Sequence, residues 1–174
     1  MPVIENNQAV NDPWLLIDET ADIAGRSMVI VPLSRLEEAV TVWPDGHRGL
    51  GIALPNDAGV DAIVPYLARF DIVLVNFPAF SDGRAFSQAR SLRHVHGFTG
   101  IIRARGKFIP DQYAMLLQSG IDSIEVDDRF TLEEWTSQIR AVPAGYQRDY
   151  AAGAGLATRT FAEAASWAEQ PHFG

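Results

Sequence analysis

The run DIVLVNF at residues 71–77 constrains this chain more than any other stretch. Seven residues with hardly a break in their apolar character read as a strand buried on both faces, which occurs where a parallel sheet is covered on each side. The surrounding sequence repeats the idea. MVIVPL (28–33), GLGIALP (49–55), GIIRAR (100–105) and DSIEV (122–126) are further short β-rich runs, each followed by a helical pattern. Ser34 is placed to cap RLEEAV, and Asn56 or Asp57 a segment over 59–69 that Pro65 makes imperfect. Helices are predicted over 84–96 and 110–120, the latter with Pro at its first turn and Gly at its end. TLEEWTSQIRAV (131–142) opens with a Thr-x-x-Glu capping box. Five βα units in succession predict a single α/β domain over residues 1–147. Its sheet is expected to be five-stranded and mainly parallel, with helices on both faces. A partial (βα) barrel is the alternative, since five such units also make half of a closed barrel.

The ends of the chain read differently. VIENNQAV and WLLID flank Asn-rich and Asp-Pro turn signals, which predicts an N-terminal hairpin or edge strand. Residues 148–174 form an Ala/Gly-rich C-terminal tail. Leu156, Phe161, Ala164, Ala165 and Trp167 recur there at near-helical spacing, a short helix that needs a partner surface on the domain or in a homodimer.

Composition removes several function classes. A formal charge of −8 argues against nucleic-acid binding, which needs a basic face. There is no apolar run of membrane-spanning length and no signal-peptide pattern at the start, so a cytoplasmic protein without a membrane partner is expected. The cysteine count is 0, which excludes disulfides, thiol chemistry and thiolate-held zinc or iron–sulfur clusters. The four histidines show no metal-site spacing, so no metal site is expected. GLGIAL (49–54) and GAGLAT (153–158) lack the third glycine of a dinucleotide fingerprint, and neither a phosphate-binding P-loop nor a nucleophile elbow occurs. No cofactor is evident.

The candidate site lies behind the third strand, in FPAFSDGRAFSQARSLR (77–93). Ligands of open parallel sheets sit beyond the carboxyl ends of the strands. Ala85, Ala89 and Leu92 form a buried stripe, leaving Arg84, Ser87, Gln88 and Ser91 as a polar face starting at the electropositive helix end. In the fourth strand Arg103, Arg105 and Lys107 share one parity, so they project to one side if the strand persists. Buried cations need acids or an anion beside them. Two readings follow: an internal ion-pair network with Asp82, Asp111, Glu125 or Asp127, or an anion pocket built by Arg84, Arg103, Arg105 and loop backbone N–H groups. Ser87, Gln88 and Gln112 complete the ligand-binding set, and Asp82, Asp111 and Glu125 are the candidate catalytic acids or bases.

The same stretch resembles FPxFTDGRGYSxARLLR, the motif of the bacterial domain-of-unknown-function family 934. The similarity continues through GFTGIIRARGKFIPDQYAMLLQSGIDSIEV and AGYQ (144–147), and VNDPW resembles the family's start. Ser81, Ala85, Phe86 and Ser91 stand where the motif has Thr, Gly, Tyr and Leu. Members of that family are described as oxidoreductases of sulfite reduction because they are commonly encoded beside sulfite reductase. The resemblance therefore implies assimilatory sulfate or sulfite reduction, either as an accessory protein binding an oxyanion or anionic metabolite, as an enzyme, or as a non-catalytic partner of sulfite reductase.

Overall fold

The computed structural model describes residues 2–140; the C-terminal tail expected at 148–174 lies outside them. The five apolar runs become β4 (Val29–Pro32), β5 (Leu50–Leu54), β6 (Ile72–Phe77), β7 (Ile101–Gly106) and β8 (Ser123–Glu125). Each pairs in parallel with the next, in the order 4-5-6-7-8. The first sixteen residues add β1 (Val3–Glu5), β2 (Gln8–Val10) and β3 (Leu15–Leu16), so the sheet has 8 strands rather than the five expected. These strands are two or three residues long, too short for any periodicity to show in sequence. β1 and β2 form the expected hairpin, and β1 pairs antiparallel with β8. Asn6 and Asn7 turn the hairpin at φ 49° and 64°, the left-handed pair that matches strand twist.

The helices are α1 (Leu36–Val42), α2 (Arg84–Arg90), α3 (Tyr113–Gln118) and α4 (Leu132–Arg140), with a π-helical turn over Ser91–Val95 prolonging α2. Their buried residues Ala39, Ala85, Ala89, Tyr113, Leu116 and Trp135 all pack in one cluster, against Val31, Ile52, Val73, Val75, Ile102 and Ile124 of the strands. The opposite strand faces supply a second cluster of Val3, Met28, Ile30, Ile72, Leu74 and Ile101, joined by Trp14. Helices on both faces were expected; the buried helix residues lie on one. Sequential strand order explains the correction, because crossovers of one hand between successive neighbours all fall on the same side. The architecture is an α/β half-barrel with a curled, mixed sheet.

The curl has a covalent cause. β2 and β3 lie at opposite edges of the sheet, yet only residues 11–14 connect them. Seven strand spacings in a flat sheet would separate the edges by about 34 Å. Five residue steps from Val10 to Leu15 reach about 18 Å at most. The sheet must bend until this strap spans its open side. Trp14, buried on the strap, packs into the concave face it crosses. That face is tightly filled: a Cβ built on Gly51 would lie 2.3 Å from Ile72 Cγ2.

Local structure follows the sequence signals unevenly. The capping box forms, with the Glu134 carboxylate accepting from Thr131 N at 2.6 Å and Thr131 Oγ1 accepting from Glu134 N at 3.2 Å. Ser34 does not cap α1; its hydroxyl donates to Glu19 instead. Residues 59–69 form 3-10 turns (Val60–Ala62 and Val64–Arg69) rather than an α-helix, with Pro65 at the start of the second. At the amino ends of β7 and β8, buried Arg93 donates to the carbonyls of Phe98, Gly100 and Gly120 and pairs with Asp122 at 2.5 Å.

Trp14→Ala empties the concave face and releases the strap. Urea unfolding should show a loss of about 3–5 kcal/mol. A loss under about 1 kcal/mol, the size of an ordinary surface substitution, would mean that the curl does not depend on this residue.

Candidate functional site

Strand register assembles the concave face residue by residue. Leu74 lies opposite Arg103 and Asn76 opposite Arg105; Arg103 in turn lies opposite Ser123. One more step along the same parallel pair sets Arg105 beside Glu125. On the far side β1 places Glu5 opposite Ser123 and Val3 opposite Glu125. The face is thus apolar toward the amino ends of the strands, through Ile72 and Ile101, and charged toward their carboxyl ends.

The charged end has two tiers. In the lower tier Arg103 is 0% exposed, donating from Nη1 to the strap carboxylate of Asp12 at 2.8 Å and from Nε to Ser123 Oγ at 3.2 Å. A guanidinium removed from water demands such partners. In the upper tier the Arg105 side chain is 39% exposed, and its Nε stands 3.4 Å from Glu125 Oε2, whose own side chain is 12% exposed. Asn76 is exposed beside it. Burial pushes the Glu125 carboxyl above its usual range; Arg105 and then Arg103 oppose this, and Asp12 adds to it.

The loop and helix behind β6 are built differently. Asp82 accepts from Arg84 Nε at 3.0 Å, from Arg84 Nη2 at 2.7 Å and from the Arg84 backbone N at 3.2 Å. Asn56 Nδ2 donates to the same carboxylate at 2.6 Å. The Arg84 hydrogen bonds come first in holding the Asp82 carboxyl down at about 2. Arg84 therefore forms a local fork with Asp82, its side chain 60% exposed. Gln88 is buried and donates from Nε2 to the carbonyls of Pro55 and Ala58, tying α2 to the loop after β5. Gln112 Oε1 accepts from Ile109 N at 3.3 Å, closing its own turn. Ser87, Lys107 and Asp111 are exposed. β7 ends at Gly106, at φ +126°, where a Cβ would lie 2.2 Å from Phe77 O. That turn takes Lys107 out of the parity it would share with Arg103 and Arg105.

Of the residues singled out in sequence, the fold brings Arg103, Arg105 and Glu125 onto one face. Arg84 and Asp82 pair with each other, while Gln88 and Gln112 hold backbone. Asp12, Asn76 and Glu5 join the face without having been anticipated. Asn76 was legible as the last polar residue of a buried strand. Asp12 sits in a turn signal and carries no mark of its distant partner. Among the described residues no three His, Asp or Glu side chains gather as a metal site.

Glu125 makes a pH prediction. Its folded-state pKa is raised, so the folded protein holds the proton more readily than the unfolded chain. Stability from this group is complete below the unfolded value of about 4.5 and is lost as pH rises through the folded value. Glu125→Gln should therefore be at least as stable as wild type at neutral pH, with the difference closing toward about pH 4.5. Urea midpoints of both proteins across that range check it; a variant less stable at neutral pH and equal in acid would reverse the sign.

A family model described as "Bacterial protein of unknown function (DUF934)" matches residues 51–156. That span holds β5 to α4, the motif behind β6 and both tiers of arginines; the strap lies before it. No curated protein matches the chain. Among the described residues no helix is long and apolar enough to cross a membrane.

Proposed function

The chain belongs to the DUF934 family of bacterial proteins, and on that premise we propose that it is an accessory protein of assimilatory sulfate and sulfite reduction. It binds a small oxyanion or anionic metabolite at the carboxyl ends of β6, β7 and β8. One observation carries the binding reading: Arg105 presents a half-exposed guanidinium there, held only loosely by Glu125 at 3.4 Å. Parallel βα folds gather their ligands at that end of the sheet. A planar guanidinium takes carboxylate, sulfate or phosphate oxygens in pairs, and Asn76 offers an amide next to it. Arg103, fully buried beneath, supplies positive potential without reaching solvent. The pathway is supported by the family resemblance and its gene neighbourhood.

A second reading has its own observation. Glu125 is a mostly buried carboxyl, raised above its usual range, next to a cation, which suits a general acid or base. In that case the protein is an enzyme of sulfite reduction acting on the same anion.

Titration calorimetry with sulfite, sulfate, phosphate and adenosine phosphosulfate tests the proposal. At least one should bind wild type and Arg84→Ala alike, and Arg105→Ala should lose it. A ligand at 100 times its Kd should stabilise the wild type by about 2.7 kcal/mol. No heat with any of the four, or undiminished binding by Arg105→Ala, overturns the site. Mass spectrometry of the recovered ligand separates the two readings, since only the enzyme returns it changed.

A further inference from the structure

We propose that Glu125 is a built-in competitor for the anion site, a carboxylate that occupies Arg105 in the free protein and is displaced by the incoming ligand with uptake of a proton. The inference rests on the reading of Arg105 as the anion anchor and says how that anchor is kept filled and emptied. Three observations carry it.

The first is the pairing itself. Arg105 and Glu125 are side-by-side neighbours on parallel strands, so their contact is set by register. The second is its length. At 3.4 Å it is longer than the buried pairs Arg93–Asp122 at 2.5 Å and Arg103–Asp12 at 2.8 Å. A carboxylate at that distance neutralises the cation without forming the short two-pronged fork that an oxyanion in solution is free to adopt. The third is burial. Arg105 is the more open partner and Glu125 the more enclosed, so a ligand reaches the cation from solvent while the displaced carboxylate stays behind.

The proton follows from the surroundings. Arg105 and Arg103 face Glu125 from β7 and favour its carboxylate; Asp12 on the strap is unfavourable. Glu5 lies two positions along β1 on the same face. Of the favourable charges Arg105 contributes most. Once an anion engages it, the burial that already disfavours the Glu125 carboxylate acts with less opposition, and the carboxyl takes up a proton. One proton passes from solvent to a Glu125 oxygen, and no other bond is made or broken. Anion affinity then rises as pH falls, by up to about tenfold per pH unit for one linked proton.

Sulfate is the probe, because its own charge stays constant over the range. Its Kd for wild type should tighten as the pH is lowered from about 8 to about 5, because burial holds the Glu125 carboxyl above its usual range. Glu125→Gln should bind more tightly than wild type at the upper pH and show no slope. Proton uptake by wild type alone, read from binding heats in two cationic buffers of different ionisation enthalpy, reports the exchange without any variant. A pH-independent wild-type Kd with no proton uptake overturns the exchange and leaves the anion site standing. An unchanged slope in Glu125→Gln does the same, as does weaker binding by that variant, which would make Glu125 a ligand contact. Failure of sulfate, and of sulfite, phosphate and adenosine phosphosulfate in its place, to bind either protein at any pH overturns the anion site and the exchange together.

Discussion

A guanidinium with none of its surface in water fixes the organisation of this protein. Arg103 projects from the middle of the sheet into the concave face, where an isolated charge would be intolerable. Its carboxylate partner comes from Asp12, on the four-residue strap between opposite sheet edges. The strap is short, so the sheet has to curl to accept it; the curl in turn makes the enclosed space in which Arg103 is dry. Covalent length and electrostatic demand therefore specify the same shape. Trp14, two residues along, adds apolar surface to the arrangement, so closure does not rest on charge alone.

The curl also separates enclosed from open polarity. Positions two apart on one strand point to the same face, yet Arg103 and Arg105 have different fates because the carboxyl end of the half-barrel is open and its middle is not. Arg103 is enclosed with Asp12 and Ser123 as partners, whereas Arg105 reaches water with a stretched acidic neighbour. At the amino end, Arg93 gathers three backbone carbonyls and Asp122 into a closed knot. Chemistry of the same residue type is spent on stability at one end and left available at the other. This is the division expected of βα folds, whose carboxyl-end loops and side chains face ligands.

The motif behind β6 holds together the loop end of the same architecture. Asp82 gathers Arg84 and Asn56, and Gln88 ties α2 to the carbonyls after β5. Phe77 and Phe86 meet edge to face at 4.9 Å beneath them. Polar density in a sequence motif thus marks a frame beside the concave face, while the cation held at the longer distance from its acid comes from the next strand.

By itself the sequence determined what is local. Five strands were legible from apolar runs and the hairpin from Asn6-Asn7; the cap of α4 was legible from Thr131 and Glu134. Each depends on residues a few positions apart. The dense motif over 77–93 was enough to indicate the family. What only the tertiary structure decided is non-local. Sequential strand order, and so the single buried helix face, depends on which runs pair, and periodicity says nothing of that. That β1 joins β8 and β3 joins β4, extending the sheet at both edges, depends on partners far along the chain completing their hydrogen bonds. Arg84 turned to Asp82 at 2.7 Å while Arg105 was left 3.4 Å from Glu125, a difference set by local geometry and invisible in residue type. Asp12 meets Arg103 across 91 positions of sequence. A pairing of that span is specified by the curl of the sheet, which no stretch of the chain contains on its own.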